Sequence, residues 1–360
     1  MLHNDTIPHY PLFTHVARNF AQLAQNTSSE SPFTPADIYT AYSLTSTDTD
    51  GEGITVAVVG AFNSVTLSLD FKRFGQMFDL PDNTLEVYFP DGSGTEYSEN
   101  RSWELESHAD TQWVYAVSPA SRIICVLARD ARIESLFSAV DTAINLGADV
   151  ISMSWGSPEF YGQSEYTERM KNSGRVFVAS AGDSGGEVLF PSSSDAVVSV
   201  GGTVLHRLRS GSVFARTAWI NGGGGPSKIT PMPSWQRIFS GITELSGEYR
   251  ASPDIALNAG ETPGYYVYYN GNPVSVGGTS VSAPVFSGIC ARILQKNPNL
   301  TKEMNIMQYL YKKAGETNYS EPQYYFSDVT VGTNGKYDAL TGFDLCTGLG
   351  APVGDLLIRG

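Results

Sequence analysis

Five short apolar runs rich in β-branched residues, at 54–59, 122–127, 150–153, 176–179 and 197–200, recur through the middle of the chain. Each is bounded by turn residues and too short for an amphipathic helix, so each reads as a buried strand. Helix-length segments lie between them at 103–117, 133–146 and 161–172. That alternation predicts an α/β fold, a largely parallel sheet with helices on both faces. Such sheets carry their sites at the carboxyl ends of their strands.

Nothing in the sequence divides the chain. A glycine-rich stretch at 221–225 leads into Pro231-Met232-Pro233-Ser234-Trp235, which predicts mostly loops and short pieces from about 205 to 260. Regular structure is expected again at 265–269, then in an apolar helix from 280 to about 295 and a second helix from 302 to 313, followed by a Gly/Asp/Thr-rich loop region. One domain over residues 1–360 is the expectation, and 41% hydrophobic residues allow a sizeable core without metal or disulfide support. Cys125, Cys290 and Cys346 are odd in number and show no ligand spacing, which argues against a disulfide framework.

The 37 acidic residues outnumber 23 basic ones, for a net charge of -14, which disfavours nucleic acid and anionic membrane surfaces as partners. No run approaches the ~18 apolar residues of a membrane span, and residues 1–10 lack the basic and apolar regions of a signal peptide. Sequons at Asn4, Asn26, Asn100, Asn299 and Asn318 suit a secreted protein, although chance supplies several in so Ser/Thr-rich a chain.

Chemistry concentrates in three places. Gly277-Gly278-Thr279-Ser280-Val281-Ser282-Ala283-Pro284 puts Ser280 where a glycine turn enters an apolar helix, among unpaired N–H groups that favour developing negative charge. An ordinary N-cap is the alternative. A nucleophilic serine usually takes histidine as its base, yet none of the five fits. His3, His9 and His15 crowd the N-terminus, and His206 is expected in a surface connection beside Arg207 and Arg209. His108 reads as half of an exposed pair with Glu104, turned away from Glu106. On the same helix Glu106 and Asp110 stand at i,i+4, where repulsion raises the pKa of one and the two share a proton. The run 176–185 then ends a strand in a turn carrying Asp183.

With these residues in place, nearly the whole chain resembles the sedolisins, or serine-carboxyl peptidases, most of all their kumamolisin-like members. The resemblance rests on Glu106, Asp110 and Gln112, on Ser154-Trp155-Gly156, and on Ala181-Gly182-Asp183-Ser184-Gly185. It continues through Pro233-Ser234-Trp235-Gln236, Pro253-Asp254-Ile255-Ala256, Gly278-Thr279-Ser280 and the C-terminal Asp328-Val329-Thr330, Gly342-Phe343-Asp344 and Thr347-Gly348-Leu349-Gly350. It implies a subtilisin-like fold and an acid-active endopeptidase or tripeptidyl-peptidase working through an acyl-enzyme. Ser280 is then the nucleophile, Glu106 the general base and acid, Asp110 its orienting partner and Asp183 the oxyanion-hole side chain. Ser154, Trp155, Gly156 and Leu189 would bind substrate. Leu189 precedes Phe190-Pro191 where some relatives carry Asp, which implies an apolar or indifferent P2 choice.

The same resemblance implies Ca2+ on a segment at about 326–350, with Asp328 and Asp344 giving carboxylates and Val329, Leu340 and Gly342 giving carbonyls, all hard oxygen ligands. Leu340 departs from the glycine common in relatives. An extra network Glu found in some relatives has no counterpart at Ser64-Val65-Thr66. The implied partners are peptides or unfolded proteins and the precursor's own pro-domain, which this chain reads as having lost; a monomer in a secreted or acidic, lysosome-like setting is expected. Two rivals differ in their demands. A subtilisin-like protease needs Asp at the end of the first strand and a His-Gly pair, and 56–61 has no Asp while no His-Gly pair exists. A catalytically inactive, calcium-stabilised binding module would have no need to keep Glu106, Asp110, Asp183 and Ser280 together.

Overall fold

Seven strands run side by side in the order Phe214–Ala218, Val197–Arg207, Val176–Ser180, Val150–Met153, Thr55–Ala61, Arg122–Ala128 and Glu86–Tyr88, and an eighth, Ile255–Asn258, also pairs with Val197–Arg207. The computed structural model describes residues 10–11, 14–16, 31–45, 48–92, 94, 98, 100–207, 214–316 and 324–360. The sequons at Asn4, Asn26 and Asn318 and the histidines His3 and His9 lie outside these residues. Every pairing in the sheet is parallel except that of Phe214–Ala218 at its edge. The fold class read from the strand–helix alternation is the one observed.

The period of two explains why both faces are covered. Val56, Val58, Ile123, Cys125 and Leu127 enter one core, while Ala57, Val59, Ile124 and Val126 enter the other. The first core receives Trp113, Val114 and Val117 of the helix Arg101–Val117 and Val285, Phe286 and Ile289 of the helix Thr279–Lys296. These are called the acid helix and the serine helix below. The second core receives Leu136, Phe137 and Val140 of Ile133–Asn145 and Met170 of Gln163–Ser173. Gly288 lets the acid and serine helices touch, because a Cβ there would stand 2.7 Å from Cβ of Val117.

Some expectations need correction. The strand begun at Val197 continues to Arg207, so His206 sits within a strand and bonds Thr217 rather than lying in a connection. The region 205–260 holds strands Phe214–Ala218, Gly225–Pro231, Tyr249–Ser252 and Ile255–Asn258 and two short helices. A buried ion pair orders it: Arg250 meets Asp254 at 2.6 Å, both are 0% exposed, and Asp254 also accepts from Ser199 N and Tyr311 Oη. The helix expected over 302–313 is broken into Leu300–Glu303 and Ile306–Gly315, because Asn305 caps the second piece with its side chain. The C-terminal loop region closes in a helix, Gly354–Arg359, that the sequence reading did not mark.

Candidate active site

Val150–Met153 and Val176–Ser180 are neighbours in the parallel sheet, and the chain leaving their carboxyl ends supplies Ser154 and Asp183. The serine helix starts after Gly278, whose φ of 117° is a conformation that suits glycine. Ser280 is its second residue and is fully buried. The acid helix brings up Glu106 and Asp110 from the same side of the sheet, both buried.

These groups meet. Ser280 Oγ donates to the Ser154 carbonyl at 3.1 Å. Ser154 Oγ lies 2.9 Å from Oδ1 of Asp110 and 2.9 Å from the Ser280 carbonyl. Burial first, then the charge of Asp110, pushes the Glu106 carboxyl well above its usual range. Burial also raises Asp110, opposed by the bond it accepts from Ser154 and by the neighbouring Glu106. Two buried carboxyls this close hold one proton between them at pH values where exposed ones would both be ionised. Neither oxygen of Glu106 has a hydrogen-bond partner within bonding distance among the described residues, so this group is left free for a substrate step.

Asp183 is held on one side only. Its Oδ1 accepts from Thr279 N at 2.9 Å and Thr279 Oγ1 at 2.7 Å, while its Oδ2 is buried without a partner among the described residues. Burial pushes its pKa up to about 7 against the lowering effect of the Thr279 bonds. With Oδ1 committed to two donors, a proton on this carboxyl belongs on Oδ2.

The substrate-binding expectation divides. Trp155 is fully buried and its indole Nε1 donates to the Val59 carbonyl at 2.9 Å, so only its main chain is open to a ligand. The Ser154 side chain is likewise turned inward to Asp110. Leu189 is buried, and a Cβ placed on Gly182 would meet its side chain at 2.9 Å. What is offered outward is the backbone edge of Trp155–Pro158, and the protein's own Tyr10–Pro11 pairs with it antiparallel, Tyr10 opposite Gly156 and Pro11 opposite Trp155. Thr14–Val16 then pairs with the strand Asn272–Gly277, Thr14 opposite Gly277, just before the serine helix. Tyr10–Pro11 and Thr14–Val16 thus occupy two backbone edges, one following Ser154 and one leading into the serine helix.

His108 is not part of this cluster and is not exposed. It is fully buried, with Nε2 3.2 Å from Asp70 Oδ2 and 3.2 Å from Thr66 Oγ1, and Nδ1 donating to the Glu104 carbonyl at 2.7 Å. The Glu104 carboxylate instead accepts from Tyr269 Oη at 3.0 Å. The expected exposed Glu104–His108 pair is corrected: the ring faces the neighbouring helix Leu67–Met77, which supplies Asp70.

The C-terminal segment offers a cradle rather than an acidic cluster. Among the described residues no group of three or more His, Cys, Asp or Glu could hold a metal. Asp328 Oδ2 accepts from Gly342 N at 2.9 Å, and Asp344 Oδ2 accepts from Leu340 N at 3.0 Å, so both carboxylates close on the 340–342 turn. Asp328 Oδ1 is buried with no partner, the mark of an oxygen suited to a cation. Leu340 is not among the residues with positive φ, so leucine is unstrained there.

Sequence reasoning missed Thr279, Ser154 as a bridge, and Asp70. Thr279 stood in plain view beside Ser280; Ser154 comes to the site, and Asp70 to the neighbouring His108, from elements distant in sequence.

A profile of the subtilase family matches residues 95–341. Kumamolisin of Bacillus sp. (strain MN-32) is 29% identical over 389 residues, covering 98% of this chain and 67% of that protein. Tripeptidyl-peptidase 1 of Dictyostelium discoideum is 25% identical over 353 residues, covering 88% of this chain and 56% of that one. The chain thus spans between about half and two thirds of these relatives' length. A solved structure of Pseudomonas sedolisin, a serine-carboxyl proteinase complexed with two molecules of pseudo-iodotyrostatin, aligns with a TM-score of 0.81 at 25% identity, covering 92% of this chain and 98% of that one.

Proposed function

Because the chain belongs to the subtilase family and is a sedolisin-type, kumamolisin-like catalytic domain, we propose that it hydrolyses peptide bonds in acid through an acyl-enzyme on Ser280. The observation that carries the reading is the meeting of a buried serine at a helix N-terminus with two buried carboxyls, Glu106 and Asp110, and the half-buried Asp183, with no histidine among them.

An extended peptide lies along the Trp155–Pro158 edge, as Tyr10–Pro11 does, and presents its carbonyl to Ser280. Glu106 leaves its resting state, takes the Ser280 proton as Oγ attacks, and returns it to the leaving amine. Asp110 shares its proton with Glu106 and orients it. The developing oxyanion accepts a hydrogen bond from protonated Oδ2 of Asp183, with the N-terminal turn of the serine helix adding its positive dipole end. A carboxylate at Asp183 would repel that charge, which is why acid suits the mechanism. Water then attacks the acyl group with Glu106 again as base.

Endopeptidase and tripeptidyl-peptidase action would both use this edge, and the positions of the cuts, internal or three residues from the amino terminus, separate them. Asp328 and Asp344, with the carbonyls of Val329, Leu340 and Gly342, would hold Ca2+, whose chemistry there is to fix the loop. An acidic extracellular or lysosome-like setting fits the proton requirement.

Cleavage-site mapping by mass spectrometry on a denatured protein at pH about 4, near the ordinary carboxylate pKa, tests the proposal. Cuts by the wild type, abolished in Ser280→Ala and reduced roughly a thousandfold or more in Glu106→Ala, are expected. Activity that survives in Glu106→Ala would refute the assignment of the base.

A further inference from the structure

We propose that Ser154 is a positioning residue whose one hydroxyl keeps Asp110 hydrogen-bonded in both of its protonation states, by switching its own donation between Asp110 and the Ser280 carbonyl. This rests on the reading of Glu106, Asp110 and Ser280 given above. It differs from the substrate-binding role the sequence suggested.

The geometry supplies two acceptors for one proton. Ser154 is fully buried, and its Oγ lies 2.9 Å from Asp110 Oδ1 and 2.9 Å from the Ser280 carbonyl. A hydroxyl donates once and accepts twice, so it cannot serve both at the same moment. The second acceptor is created by the sequence. In an α-helix the N–H of residue 284 would reach back to the carbonyl of residue 280, but Pro284, inside the serine helix, has no N–H. The Ser280 carbonyl lacks that intrahelical donor, and Ser154 stands in its place.

When Asp110 is ionised, Ser154 donates to Oδ1. When Asp110 is protonated on Oδ1, it donates to Ser154 Oγ, which turns its own proton to the Ser280 carbonyl. Protonation of the acid pair is thereby tied to the turn that carries the nucleophile, whose Oγ already donates to the Ser154 carbonyl at 3.1 Å. The titratable groups around the pair are few. Glu106 lies on the same helix as Asp110, Asp183 acts on Glu106 from the oxyanion turn, Glu261 acts on Asp183, and the buried Cys125 thiol, raised by burial and by Asp110, stays neutral. Among the described residues, the bond from Ser154 and the neighbouring Glu106 are what favour the ionised form of Asp110.

The test compares Ser154→Ala and Ser154→Thr with the wild type in kcat and KM across pH, together with thermal denaturation between pH about 4 and 8. Losing a donor to a charged group raises the pair's apparent pKa. The acid limb of kcat in Ser154→Ala should move up by about one pH unit, with kcat roughly tenfold lower and KM changed less than about twofold. Ser154→Thr keeps a hydroxyl and should restore the limb. Stability of Ser154→Ala should fall more steeply with rising pH than that of the wild type, a readout independent of any peptidase activity. If Ser154→Ala does not fold, Ser154→Cys, a weaker donor of similar volume, should shift both readouts in the same direction. Coincident acid limbs and stability slopes, or a loss confined to KM, overturn the proposal. A folded wild type that cleaves nothing in acid refutes the functional reading instead, and the stability slopes then decide this inference alone.

Discussion

Thr279 gives both its backbone N–H and its hydroxyl to Oδ1 of Asp183, and leaves Oδ2 of the same carboxyl buried without a partner among the described residues. The residue next to Ser280 thus determines which oxygen of Asp183 can carry a proton. Both donations favour the ionised carboxyl, while burial, the larger effect, favours the neutral one. Replacing Thr279 by Val removes the hydroxyl and keeps the N–H. The pKa of Asp183 should then rise further, and the alkaline limb of kcat/KM should move up by about one pH unit. A limb that moves down, or not at all, would show that the hydroxyl does not govern Asp183.

Raised carboxyls make the fold itself acid-loving. Asp183 is held up to about 7 by burial, and burial raises Glu106 and Asp110 as well. In the unfolded chain such groups titrate near pH ~4. Between pH ~4 and ~7 the folded state binds more protons than the unfolded one, so stability is greatest at the low end and is lost as pH rises. For Asp183 alone the loss is of order 4 kcal/mol across that window. Urea denaturation at both pH values should show Asp183→Asn losing distinctly less stability on the way up than the wild type. Parallel pH dependences for the two proteins would contradict the burial account.

His108 is a structural residue and not a spare base. Its ring is fully buried between Asp70, Thr66 and the Glu104 carbonyl and packs edge-on against Tyr269 at 5.0 Å. Burial tends to raise Asp70, but His108 beside it, with Thr66 and Gly271 N, holds it below the usual carboxylate range. His108→Ala should cost about 2–4 kcal/mol of stability through a cavity and a buried carboxylate that loses its imidazole partner. Its kcat, measured where the variant is folded, should stay within roughly threefold of wild type, well short of the loss expected for a general base. A variant of unchanged Tm and greatly reduced kcat would reverse this assignment.

What the sequence revealed and what it hid follow from range. Apolar β-branched runs marked 54–59 and 122–127 as buried strands because that composition is a local property, while the side of the sheet each residue takes emerged only in the fold. Glu106 with Asp110, Asp183 and Ser280 were each marked by a helix spacing, a strand-end turn or a glycine-led helix start. Contacts between distant segments were not readable. His108 looked exposed because its partner Asp70 lies 38 residues away, and the order of 205–260 depends on Arg250 buried against Asp254 and on Ser199 N held by Asp254. The bonds of Ser154 to Asp110 and Ser280 span 44 and 126 residues, so the resemblance that marked Ser154 for substrate carried no sign of them.

Calcium on the C-terminal loop should stabilise the fold, since a ligand bound only to the native state contributes RT ln(1 + [L]/Kd), about 2.7 kcal/mol at a hundredfold excess over Kd. Chelation should lower the Tm of the wild type. Asp328→Asn should lower it beforehand and make chelation nearly without effect, since Asp328 Oδ1 is the oxygen without a partner. Asp344 is a poorer probe, because its loss also removes acceptors for Leu340, Cys346 and Thr347 N–H groups. An unchanged wild-type Tm after exhaustive chelation, with no metal found beforehand, would remove the site.

Asp183→Asn separates protonation from geometry. The amide matches the carboxyl in volume and offers N–H donors at every pH, whereas Asp183 donates only while its Oδ2 is protonated. The Thr279 N–H and hydroxyl, both directed at Oδ1, select the orientation, because the amide oxygen must take that place and the NH2 must take the place of Oδ2. Peak kcat/KM should fall by roughly ten- to a hundredfold, since a neutral amide donates less strongly to an oxyanion than a carboxylic acid does. The wild type should lose activity as pH rises through about 7, where Asp183 gives up its proton. The variant should lose less over the same range if Asp183 sets that limb. The Glu106–Asp110 pair titrates too and belongs to both proteins, so any alkaline decline common to them is assigned to the pair. Full pH profiles of kcat/KM for the two proteins decide between these origins. An alkaline limb identical in both would place control outside Asp183, and a wild-type optimum near pH 8 would exclude a protonated carboxyl as the oxyanion donor.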